Sequence, residues 1–148
     1  MATDLMELQQ AINTTIKRTE DAYHRAARAA GLSDAAFDIL YALHMEGEGC
    51  SQSRLGELCF TRKQTVNSAI KRLQEDGIVH LEPGPGRSTH VYLTDQGSAL
   101  IAEHIIPIIN AELTALASIT SAQRNELAAA LTEHANVLVE ELDAVEYD

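Results

Sequence analysis

The stretch Thr61-Arg62-Lys63-Gln64-Thr65-Val66-Asn67-Ser68-Ala69-Ile70-Lys71-Arg72-Leu73 decides how the rest of the 148-residue chain reads. Val66, Ala69, Ile70 and Leu73 recur at helical spacing and make one apolar stripe, which leaves Arg62, Lys63, Gln64, Asn67, Ser68 and Lys71 on the open face. The stretch holds four cations and no acid. Thr61 and Gln64 have capping-box spacing, so Thr61 is expected to be the N-cap, and Gly77 is expected to end the helix in the left-handed conformation.

Upstream, Ser51 opens a short helix with Leu55 and Leu58 inward. Ser33 caps an earlier one whose inner face is expected at Phe37, Leu40, Tyr41 and His44 or Met45, ending at Gly47-Glu48-Gly49. From Leu5 to about Ala30, the residues Leu5, Leu8, Ile12, Ile16, Tyr23, Ala26 and Ala30 read as a long amphipathic helix stopped by Gly31. Downstream, residues 78–81 and 89–93 read as two short strands around a tip rich in glycine and proline. Thr94 caps a helix striped by Leu100, Ile101, Ile105, Ile108, Ile109, Leu113 and Leu116, where Pro107 is expected to introduce a kink. Thr120 and Gln123 repeat the capping-box spacing and open a last helix with Leu127, Leu131, Leu138, Leu142 and Val145 on one face. These terminal stripes are more than so small a centre can bury, which points to a homodimer.

The order helix, short helix, turn, polar-faced helix, β-hairpin is that of a winged helix-turn-helix. The expected fold is therefore mainly α with a small β-hairpin. A single chain, 1–148, is divided into a winged helix-turn-helix part, 33–97, and dimerisation helices at 1–30 and 98–148.

The net charge of −11 argues at first against a nucleic-acid partner. The distribution of charge argues the other way: residues 1–50 hold four Lys/Arg against eight Asp/Glu, residues 51–97 six against five, and residues 98–148 one against nine. Local field decides what a surface attracts. Arg62 and Lys63 suit guanine, and Gln64 and Asn67 suit adenine, because those side chains make two-point contacts with base edges. Ser53, Thr65, Ser68, Lys71 and Arg72 are better placed as phosphate anchors, with Arg54 adding a backbone contact. For any one cation the bland alternative is a solvated surface charge, and Gln64 could serve capping alone.

In these residues the sequence resembles the MarR family of bacterial transcription regulators. The resemblance rests on Leu32-Ser33, on Cys50-Ser51-Gln52-Ser53-Arg54-Leu55-Gly56-Glu57-Leu58, on residues 61–79, and on Arg87 before Tyr92-Leu93-Thr94-Asp95-Gln96-Gly97. It implies a sequence-specific, DNA-binding repressor acting as a homodimer on a pseudo-palindromic operator. Arg87 would reach the minor groove or a phosphate, although the Asp-x-Arg that many members carry in the wing is absent. The resemblance also implies a small aromatic or phenolic effector held between the dimerisation helices and the winged part, where His24, Arg28, Tyr41 and His44 are the polar candidates. Amphipathic tips of this kind usually find a protein partner, so the ordinary reading of these four is as half-buried or interface residues.

Cysteine oxidation is the other input known in the family. Cys50 stands just before a helix N-terminus, where the dipole would lower its thiol pKa, so it is the redox candidate, whereas Cys59 is expected to be buried. A free cysteine is nevertheless most often a small core residue, and whether the two could pair depends on geometry. The six histidines are scattered, and only His80 and His90 are expected as cross-strand neighbours; no metal and no cofactor are expected. No phosphate-binding glycine loop or nucleophile elbow occurs, so an enzyme is not expected. No apolar run approaches 18 residues and the N-terminus lacks a signal-peptide pattern, so a cytoplasmic protein without a membrane partner is expected. The alternatives are a winged-helix protein-interaction module that has lost DNA binding, and a cysteine-based redox regulator.

Overall fold

In the computed structural model, which describes residues 4–146, the chain divides into two compact units, one up to Ile108 and one from Ile109 onward. In the first unit α1 spans Leu5–Ala29, α2 Asp34–Glu46, α3 Gln52–Leu58 and α4 Lys63–Glu75. A three-stranded antiparallel sheet, ordered β1-β3-β2, follows from β1 (Cys50–Ser51), β2 (Val79–Pro83) and β3 (Thr89–Leu93). Then come α5 (Asp95–Leu100), a π-helical turn (Ile101–Ile105) and α6 (Ile106–Ala117), which crosses the boundary between the units; α7 (Ser121–Asp143) completes the chain.

The core of the first unit is the apolar residues that the helical periods bring together. Ile39, Leu40 and Leu43 of α2, Leu55 of α3, Val66 and Ile70 of α4, Val79 and Val91 of the sheet, and Ile105 are all fully buried. Each such side chain contributes about 1.5–3 kcal/mol by leaving water. α2 is the hub, packing against α1, α3, α4 and the π-helical turn.

Three helix starts behave as their sequences dictate. Ser33 accepts from the Ala36 N–H at 3.1 Å, Ser51 from the Arg54 N–H at 3.1 Å, and Thr120 with Gln123 forms both bonds of a capping box, at 3.2 and 2.9 Å. The start of α4 departs from expectation. Arg62 is the N-cap and makes no side-chain capping bond, while the Thr61 hydroxyl turns away to the Asp38 carboxylate, 3.5 Å off. The hydroxyl donates to a carboxylate on the neighbouring α2, and no side chain caps the first N–H groups of α4.

Further differences follow from packing. In α2 the inner face is Phe37, Ile39, Leu40 and Leu43, with Tyr41 half-buried and His44 and Met45 exposed. In α1 the one buried residue is Ala27, because only a small side chain fits where α1 meets α2; Leu5, Leu8, Ile16 and Tyr23 are exposed. The hairpin gains a third strand, since Cys50 and Ser51 pair with Val91 and His90. Ahead of Pro107 the chain takes a π-helical turn, an accommodation for a residue that supplies no N–H and crowds the preceding turn.

By length and mean hydropathy (1.4) the continuous rod Asp95–Ala117 is long and apolar enough to cross a bilayer, which a count of uninterrupted apolar runs misses. Its Ile101 and Ile105 are buried in the first unit's core, while no residue of α6 is buried.

Two glycines fix the junction between α4, the sheet and α5. Gly77 takes φ +73°, the left-handed conformation that ends α4. Gly97 sits against the Ile78 carbonyl so closely that a Cβ would collide with it. Thr94 binds both segments, its hydroxyl lying 2.6 Å from the Gly77 carbonyl and 3.0 Å from that of Ile78 while accepting from the Gly97 N–H at 3.1 Å. The Leu-Thr-x-x-Gly after the wing is thus the clasp that holds α5 to the end of α4.

Candidate nucleic-acid interface

Burial of Val66, Ile70 and Leu73 turns the opposite face of α4 outward, so Arg62, Lys63, Gln64, Thr65, Asn67, Ser68, Lys71 and Arg72 are all exposed. Among the described residues Arg62, Lys63 and Lys71 hold no ion pair. Arg72 is paired with Asp76 at 3.1 Å, four residues on in the same helix. The first turn of α4 carries no acid, so the unsatisfied N–H groups at its N-terminus add their partial positive charge to Arg62 and Lys63. This face can therefore attract an anion while presenting amide and guanidinium groups suited to base edges.

The neighbouring candidates divide. Ser53 on α3 is exposed. Arg54, also exposed, is engaged by Glu46 and Glu57, each at 3.3 Å, and these bonds raise its pKa. A phosphate would have to compete with two carboxylates for it. Ser68 donates to the Gln64 carbonyl at 3.0 Å, a bond internal to α4.

Arg87 is exposed at the tip between β2 and β3. The tip is held without the acid that the sequence lacks. Ser88 donates to the Pro85 carbonyl at 2.8 Å, the Gly84 N–H donates to the Ser88 carbonyl at 2.9 Å, and His90 Nδ1 donates to the Gly49 carbonyl at 2.6 Å. His80 stacks on Tyr92, its partner across the strands, rather than on His90. Sequence reading missed Ser88 and His90 as holders of the wing, because the partner of His90 lies 41 residues away.

The four effector candidates are not gathered in one place. Tyr41 lines a groove of about 250 Å³ with Asp38, Met45, Glu46, Cys59 and Phe60, and Phe60 stands fully exposed at its edge. His44 is exposed and outside that lining. His24 of α1 is bound instead by the two carboxylate oxygens of Asp34, 2.8 and 2.9 Å from its Nδ1, and Arg28 lies exposed in the last turn of α1. Asp38, missed from sequence, lines the groove together with Glu46. Burial, with the Asp34 charge, raises its pKa, against a lowering by the Thr61 hydroxyl.

The expected activation of Cys50 is corrected by its surroundings. Partial burial and the Glu46 carboxylate push its thiol up, outweighing the lowering effect of Arg54. Cys59 is half-buried, and burial together with Asp38 pushes its thiol up to about 11. Both cysteines are free.

Comparisons with known proteins bear on this face and its scaffold. The model of the MarR family matches residues 30–88, the segment running from the end of α1 to the wing tip. Among solved structures, a MarR-family transcriptional regulator from Silicibacter pomeroyi is 25% identical, with a TM-score of 0.69 over 89% of this chain and 94% of its own. An organohalide-sensing transcriptional regulator in its 2,4-dichlorophenol-bound form is 21% identical, with a TM-score of 0.66 over 91% of this chain and 82% of its own. BpsR of Bordetella bronchiseptica, whose DNA binding is regulated by 6-hydroxynicotinic acid, is 21% identical, with a TM-score of 0.62 over 84% of this chain and 98% of its own. No curated protein matches the sequence. Residues 30–88 match the model of the MarR family, and the chain that carries them has the winged-helix fold seen in solved transcription regulators of that family.

Proposed function

We propose that this protein is a homodimeric, sequence-specific DNA-binding repressor of the cytoplasm, acting on a pseudo-palindromic operator and modulated by a small aromatic or phenolic effector. The exposed, acid-free face of α4 carries the reading. In a chain of net charge −11 the unpaired cations Arg62, Lys63 and Lys71 share it with base-reading amides. Acidic helices elsewhere suppress indiscriminate binding while this strip docks.

Within each unit an exposed apolar row supports the homodimer: Leu5, Leu8 and Ile16 on α1, and Leu127, Leu131, Leu138 and Leu142 on α7. Two-fold pairing would set the two α4 helices about 34–36 Å apart, one turn of DNA. For the effector, the groove beside Tyr41 offers apolar walls with the carboxyls of Asp38 and Glu46, acceptors that suit the hydroxyl of a hydroxylated aromatic ring, whereas an anionic group on that ring would need Arg28 or a protonated histidine. The dichlorophenol and hydroxynicotinic acid named for two structural relatives belong to that ligand class.

Selection from random duplex DNA at two salt concentrations tests the reading. Recovery of a pseudo-palindrome by the native protein, lost in Arg62→Ala/Lys63→Ala, is the expected result. Retention of nothing at low salt by an intact dimer would overturn it in favour of a protein-interaction module.

A further inference from the structure

Gln52 is the first residue of α3, and Asn67 lies just over one turn into α4. Across the helix-turn-helix, Gln52 Nε2 donates to Asn67 Oδ1 at 3.0 Å, joining side chains 15 residues apart. Both helices are anchored beneath this bond, because Leu55 and Val66 are fully buried and Ser51 caps α3. Gln52 is half-buried, whereas Asn67 is exposed on the outward face.

An exposed carboxamide turns about its last bond over broad wells, so alone it offers a base either its oxygen or its NH₂. The Gln52 N–H removes this ambiguity by holding Oδ1 on the α3 side. Asn67 keeps the second lone pair of Oδ1 and both hydrogens of Nδ2, the acceptor and donor that match adenine N6–H and N7. We propose that Gln52 is a positioning residue for base readout, setting the orientation in which Asn67 selects adenine. This rests on the DNA-binding reading above.

The test compares base preferences selected from random duplex DNA by the native protein, Gln52→Ala, Gln52→Glu, Asn67→Ala and the double alanine variant, with thermal melts confirming each fold. Asn67→Ala is expected to cut preference for adenine at one position of each half-site roughly tenfold to a hundredfold. Gln52→Ala relaxes the same position about two- to tenfold, the worth of one hydrogen bond, and adds nothing in the double variant. Gln52→Glu is the sharper probe. A carboxylate only accepts, so it draws Asn67 Nδ2 toward itself and leaves Oδ1 outward; the acceptor for an amino group survives but the donor to adenine N7 is lost, so adenine and cytosine, which both present an amino group, are selected alike. Uniform loss of affinity with unchanged preference in both Gln52 variants overturns the proposal, as does an Asn67→Ala variant that relaxes no position. Failure of the native protein to select any motif is a separate outcome, visible before any variant is compared, and takes down the DNA reading with it.

Discussion

Gly97, the third residue of α5, lies directly against the backbone carbonyl of Ile78, at the entry to β2, with no room between them for a single methyl group. A backbone carbonyl cannot swing aside as a side chain can. Gly97→Ala is therefore expected to cost about 1–3 kcal/mol, the usual penalty for forced overpacking. Urea unfolding measures it. A variant as stable as the native protein would show that α5 moves freely relative to the sheet.

The unpaired cations of α4 should dominate the salt dependence of DNA binding. If each protomer neutralises about four phosphates, log K falls with log salt at a slope of roughly −7 for the dimer. Removing Arg62 makes that slope shallower by about one for each phosphate left without its cation. Arg54→Ala should change it less, because Glu46 and Glu57 already hold that guanidinium. Fluorescence anisotropy on a selected operator, repeated across salt, checks the ranking.

Two threonines at capping-box spacing should respond differently to loss of the hydroxyl. Thr120→Ala removes the Gln123 N–H acceptor and should destabilise α7 by roughly 1 kcal/mol. Thr61→Ala removes only a 3.5 Å contact to Asp38 and no helix cap, so its cost should be smaller. Circular dichroism melts of the two variants decide this.

Asp38 should weaken the fold as pH rises. Its pKa is raised above the ordinary 3.8, so its contribution to stability is fully present below that value and is lost as the carboxyl ionises on going up through its folded pKa. Asp38→Asn keeps an acceptor for Thr61 without the buried charge. Its melting temperature should exceed the native value at neutral pH, with the difference vanishing in acid. Equal gains at all pH values would assign the effect to packing instead.

Thiol chemistry gives a fifth test. With both thiols pushed up, and Cys59 to about 11, neither is activated near neutral pH. Alkylation of each should run slower than that of a free cysteine, with Cys59 the slower of the two. Mild peroxide should leave DNA affinity unchanged. A fast Cys50 would revive the redox reading.

Local sequence determined the element order, the apolar stripe of α4, the hairpin with its tip, the caps at Ser33, Ser51, Thr94 and Thr120, and the outward cations, because each depends on residues within one or two turns of one another. Tertiary structure decided everything that depends on residues distant in the chain. It diverted Thr61 to Asp38, tied Arg54 to Glu46, gave His24 to Asp34, added Cys50 and Ser51 to the sheet and hung the wing from Gly49 through His90. It also reversed the expected behaviour of Cys50, since a helix end favours a thiolate while burial and a carboxylate oppose it, and only packing shows which is nearer. Hydrophobic periodicity is written in near neighbours. Competition among polar groups for a partner is settled only where the folded chain brings the competitors together.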